Sequence, residues 1–137
     1  MTHHKVFWDD LARDLESPEF LRDYVVESMR IATVDSIVNA IDDAREAAGL
    51  TKAELARAIQ KEPATIRRLL SSDNSNPTLG TLAEVAAALG LRITVEPLPK
   101  SERKQITQSL LEGRSADPKR LAQHLDGLRT PKAELPA

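Results

Sequence analysis

Two adjacent arginines, Arg67 and Arg68, are the side chains of this sequence best equipped to recognise another molecule. A guanidinium is planar and permanently charged, and its fork of N–H donors matches a phosphate or the paired acceptors on the major-groove edge of guanine. Lys52 and Lys61 precede them as simpler point charges suited to phosphate oxygens. Residues with catalytic potential are present but scattered. His3 and His4 are neighbours at the start of the sequence and His124 stands alone, so no pair has the spacing of metal ligands. The acids Asp9, Asp10, Glu16, Asp42 and Asp43 fall on mixed faces. The absence of cysteine removes a thiol nucleophile, a thiolate zinc site and a disulfide scaffold together. Gly49, Gly80, Gly90, Gly113 and Gly127 are too dispersed to form a phosphate-cradling loop. Neither an enzyme nor a cofactor is expected.

The elements that must position the arginines are legible from their punctuation. Ile37, Val38, Ile41, Ala44 and Ala48 recur at helical spacing, and Gly49 offers a left-handed exit. Thr51 and Glu54 form a capping box, in which each side chain satisfies the other's end of a first helical turn. A short helix follows, with Leu55, Ala56 and Ile59 inward and Ala56 expected where two helices cross closely. Gln60, Lys61 and Glu62 make a turn of three residues, and Pro63 suits the first turn of a second short helix that buries Ile66, Leu69 and Leu70. Residues 71–77 are polar and loop-like. Thr78 then caps a helix carrying Leu79, Leu82, Val85, Ala86 and Leu89, which Gly90 closes.

Upstream, Ser17, Pro18 and Glu19 read as a helix start, with Phe20, Leu21, Tyr24, Val25, Met29 and Ala32 at helical spacing. Whether that helix passes through the β-branched cluster at Ile31 to Val34, or yields to a new one capped by Asp35 or Ser36, stays open at this point. After Gly90 the period becomes alternating: Leu91, Ile93 and Val95 against Arg92, Thr94 and Glu96, ended by Pro97. That pattern predicts one short β-strand, Arg92 to Glu96, pairing with the same strand of a second copy of the chain or with an edge strand of a different protein. The expected fold is therefore all-α with five or so helices and one appended strand. Three segments are expected: an acidic helical arm at 1–34, a central domain at 35–97, and a weakly helical, partly flexible tail at 98–137.

Composition agrees with this plan. The chain has 137 residues, 41% hydrophobic and only 3% aromatic, so the core must be built from Leu, Ile, Val and Ala, which favours packed helices. The formal net charge of -2 is unevenly spread: residues 1–50 carry five basic against eleven acidic side chains, whereas residues 51–92 carry six against four. An acidic arm and a mildly basic middle suit one basic protein partner and one polyanion. No run approaches the ~20 apolar residues of a membrane span, and the first ten residues show no signal-like apolar stretch. A cytoplasmic protein without a membrane partner is expected.

The stretches Gly49 to Ala56, Thr65 to Leu69 and Asn76 to Gly90 together resemble the phage-repressor-like, or xenobiotic-response-element (XRE), helix-turn-helix family. Within it they are most similar to HigA-type addiction-module antitoxins, which have an acidic helical arm before the domain and a short strand after it. The resemblance covers about residues 17–97. It implies a lambda-repressor-like core, a homodimer on double-stranded operator DNA, and a small basic toxin, often a ribonuclease, that the protein neutralises while repressing its own operon. By position it implies base contacts from Pro63, Ala64, Arg67 and Arg68. Backbone or flanking contacts would come from Thr51, Lys52, Lys61, Glu62, Thr65, Ser72, Asn74 and Asn76. Trp8, Phe20 and Tyr24 are the candidate toxin contacts. Two positions depart from the family pattern: Gln60 stands at the usual turn glycine and Lys61 at a usually buried valine. A stand-alone repressor, and a toxin-binding module that binds DNA only weakly, are the alternative readings.

Overall fold

The computed structural model describes residues 2–71 and 76–129. They form seven α-helices: α1 (Thr2–Asp14), α2 (Pro18–Ala47), α3 (Lys52–Ala58), α4 (Pro63–Leu69), α5 (Leu79–Ala88), α6 (Lys100–Glu112) and α7 (Pro118–Arg129). Two compact units share them, one of residues 33–95 and one combining residues 1–32 with residues 96–137.

Helix α2 runs unbroken for 30 residues, straight through Ile31 to Val34. The modest helix propensity of β-branched residues is a weak prior that tertiary burial overrides. Leu21 and Val25 in its first half join one core, and Val38 and Ile41 in its second half join the other. The apolar positions of the two halves do not follow one phase of the 3.6-residue repeat, which is why the periodicity falters where the helix does not.

In the unit of residues 33–95, the end of α2 packs with α3, α4 and α5 around Leu55, Ala56, Ile66, Leu69, Leu70, Leu82, Val85 and Ala86. Leu55, Ala56, Ile66 and Val85 are fully buried, and such aliphatic side chains contribute roughly 1.5–3 kcal/mol each for the larger ones. The expected caps are present. Thr51 Oγ1 accepts from the Glu54 amide at 3.0 Å, and Glu54 Oε1 accepts from the Thr51 amide at 2.9 Å. Thr78 Oγ1 accepts from the Thr81 amide at 3.1 Å. Gly49 and Gly90 both take φ +72°, and in each case the next amide, of Leu50 or Leu91, bonds back across the helix end to Arg45 O or Ala86 O.

The appended strand is not there. Residues 91–99 carry no regular secondary structure, and among the described residues there is no β-strand. A strand exists through its ladder of backbone hydrogen bonds, and among the described residues no second strand supplies one to Arg92, Ile93, Thr94, Val95 and Glu96. Nor does the alternation mark a buried face. Ile93 packs on the core, whereas Leu91 is exposed and Val95 is 99% exposed. Among the described residues the fold is all-α, with seven helices in place of about five.

The other unit gathers the two ends of the chain. Leu15, Leu21, Val25, Ile106, Leu121, Ala122 and Leu125 form its core, lined at the edge by Trp8, Leu11, Tyr24 and Met29. Asp9 of α1 receives the Lys119 ammonium of α7 at 3.1 Å. Arg22 of α2 caps α6 from the side: Nε donates to Leu110 O at 2.9 Å and Nη2 to Leu111 O at 3.3 Å. A guanidinium at a helix C-terminus satisfies free carbonyls and meets the negative end of the helix dipole. Gly113, with φ +72°, ends α6 beneath that guanidinium.

Candidate nucleic-acid interface

The corner between α3 and α4 is built by backbone hydrogen bonds. After the cap residue Ile59, Gln60 takes φ +56°, and the amides of Gln60 and Lys61 bond back to Arg57 O at 3.2 Å and Ala56 O at 2.9 Å. This is the closing motif that glycine usually supplies, here carried by a glutamine at the strain of a left-handed conformation. Ala56, wholly buried, sits under the corner and leaves α3 and α4 in close contact. Glu62 is the N-cap of α4 but makes no side-chain cap bond, and Pro63 occupies the first helical turn, where its missing N–H is harmless.

That corner divides α4 into two faces. Ile66 and Leu69 point into the core, and Ala64, Arg67 and Arg68 are exposed. Positions three and four apart lie on one side of a helix, so the alanine methyl and the two guanidinium groups share an outward surface. Among the described residues neither Arg67 nor Arg68 enters an ion pair. Pro63 and Thr65 are half-buried at the flank, and Glu62 is exposed at the entrance.

The remaining sequence-predicted positions divide by what already occupies them. Lys52 is half-buried at the start of α3 and Asn76 is exposed before α5. Thr51 is exposed, but its hydroxyl is engaged in the capping box. Hydrogen bonds from Thr51, first from its amide and then from its side chain, hold the Glu54 carboxyl below the ordinary glutamate range. Lys61 does not project freely, since its ammonium lies 3.0 Å from Glu84 Oε2 of α5. Ser72 and Asn74 lie outside the described residues. In the other unit, Phe20 is exposed and stacks on Tyr24 at a centroid distance of 6.1 Å. Tyr24 and Trp8 are half-buried, Trp8 against the core and edge-to-face with exposed Phe7 at 5.0 Å. Burial is the leading influence that raises the Tyr24 hydroxyl above its usual range.

Sequence reasoning missed α1, although Trp8, Leu11 and Leu15 at helical spacing signalled it, and it missed Glu84 as the partner of Lys61, for which no local signal exists. Among the described residues no group of three or more His, Asp or Glu could hold a metal ion, and no helix is long and apolar enough to cross a membrane.

A short exposed helix face that carries two forked cations and a methyl behind a tight corner has the size and the donors to enter a major groove about 12 Å wide. No curated protein and no solved structure matches the chain, but a helix-turn-helix family model matches residues 41–95. That family is a DNA-binding module with no catalytic role. Residues 41–95 of this chain are therefore a helix-turn-helix domain of the XRE family.

Proposed function

We propose that the chain is a sequence-specific repressor of its own operon and the antitoxin of a small basic toxin. Helix α4 is the recognition helix. Arg68 and Arg67 read guanines, the Ala64 methyl packs against a thymine methyl or the adjacent sugar, and Pro63 sets the depth of entry. Lys52 and Asn76 contribute contacts to the phosphate backbone, which fix register without carrying sequence information. The observation that carries this reading is the exposed Arg67–Arg68 pair, unpaired among the described residues, directly behind a capped corner. Two copies related by a two-fold axis would read half-sites about 34–36 Å apart.

The toxin-binding part of the reading rests on the resemblance to HigA-type antitoxins and on the acidic first helices. Phe20 is the exposed member of the three aromatic candidates and the one offered as an anchor. Purified protein should protect a pair of half-sites in the DNA upstream of its own coding sequence. It should also co-purify with the product of the adjacent gene and restore growth when that product is expressed. Protection without co-purification or rescue would leave a stand-alone repressor; rescue without protection would leave a toxin-binding module. Failure of both would sink the proposal.

A further inference from the structure

Helix α6 places its charges against its own dipole. Lys100, Arg103 and Lys104 lie within its first five residues, where the positive end of a helix disfavours cations by about 0.3–1 kcal/mol each. The one acid of this stretch, Glu102, does not offset them on the surface. It is half-buried and turned towards α7, with its carboxylate 3.5 Å from His124 Nε2, a buried nitrogen that makes no hydrogen bond. The outward face is left cationic: Lys100, Arg103 and Lys104 are all exposed, and none enters an ion pair among the described residues. With Thr107 and Gln108 they line a shallow depression of about 350 Å³. Sequence that opposes local preference without a structural return points to a task outside the fold.

We propose that this face of α6 is a second phosphate contact to duplex DNA, separate from the helix-turn-helix. The inference rests on the DNA-binding reading given above. The charge favours a nucleic-acid backbone: Lys100, Arg103 and Lys104 are exposed cations with exposed Thr107 and Gln108 beside them, whose polar ends can reach phosphate oxygens while their aliphatic stems form the depression. The cations span ~6 Å of helix axis, against ~3.4 Å of duplex axis per phosphate on one strand, so neighbouring phosphates fall within their reach.

The test is the salt dependence of DNA binding by the full chain, measured on the upstream DNA and on an unrelated duplex. Each phosphate contact adds about -0.9 to the slope of log affinity against log salt. The variant Lys100→Ala/Arg103→Ala/Lys104→Ala should lower the slope by up to ~2.7 on both duplexes, so that between 50 and 200 mM salt it loses about 40-fold less affinity than the parent. Preference for the upstream DNA should be unchanged. Lys100→Arg/Lys104→Arg should keep the parent slope. Alanine is a strong helix former on an exposed face, so the variant folds, and circular dichroism checks it. An unchanged slope in the alanine variant, with Arg67→Ala/Arg68→Ala still abolishing preference, would overturn this inference and leave the recognition helix standing. Absence of any DNA binding by the parent would overturn both.

Discussion

Lys61 holds its ammonium 3.0 Å from Glu84 Oε2, which ties the corner between α3 and α4 to α5. The lysine occupies a position expected to reach the DNA backbone, and the carboxylate is a competing acceptor for the same charge. Glu84 therefore competes with any phosphate for the Lys61 charge.

Substituting Glu84→Gln should release Lys61 to DNA. Glu84 is largely exposed, and ion pairs of this kind contribute only about 0.2–1 kcal/mol, so the melting temperature should move by a few degrees at most. The slope of log affinity against log salt should steepen by about 0.9. An unchanged slope would mean that Lys61 makes no phosphate contact.

Gln60→Gly should stabilise the protein. A non-glycine residue at φ +56° carries a left-handed strain of roughly 1–2 kcal/mol, partly offset by the greater unfolded-state entropy of glycine. The expected net gain is about 0.5–1 kcal/mol in urea denaturation. A loss would show that the Gln60 side chain holds the corner.

Three glycines share φ +72° yet should respond unequally to alanine. A Cβ at Gly49 or Gly90 would meet nothing within 4 Å, so each variant should lose only about 1–2 kcal/mol for the backbone conformation. At Gly113 the added carbon would come 2.9 Å from Arg22 Cζ and 3.0 Å from Pro18 Cβ. Gly113→Ala should also lose the Arg22 cap of α6, for a total of about 2–4 kcal/mol. Equal losses in the three variants would contradict the cap.

The capping box makes stability depend on acid. The hydrogen bonds from Thr51 lower the Glu54 carboxyl in the folded state, so its contribution is complete above the unfolded-state value and vanishes as pH falls through the folded-state value. Denaturation midpoints measured from neutral to acid pH should show a loss in the parent that is reduced in Glu54→Gln, which keeps a side-chain oxygen able to accept from the Thr51 amide. Identical pH profiles would rule out the carboxylate as a contributor.

Local chemistry made the helix-turn-helix legible. Thr51 with Glu54, Pro63, Thr78, Gly49 and Gly90 each mark a helix end through a side-chain bond or a permitted dihedral that depends on near neighbours alone. Inward Ile66 and Leu69 with outward Arg67 and Arg68 follow from the helical period. What escaped depended on distant partners. Arg22 meets carbonyls 88 and 89 positions away, and Asp9 meets a lysine 110 positions away, so the union of the two chain ends leaves no local trace. The alternation at residues 91–96 misled for the complementary reason: it satisfies the period of a strand, but a strand also needs a partner, and none is present among the described residues.

The central claim concerns the outward face of α4, and it is tested most directly by comparing Arg67→Ala/Arg68→Ala with the parent for affinity to the upstream DNA and to an unrelated duplex of equal length. With each arginine–guanine pair contributing about 1–3 kcal/mol of discrimination, the ratio of the two affinities should fall by about 30-fold or more while helical content stays constant. A ratio that does not change would contradict recognition by these residues.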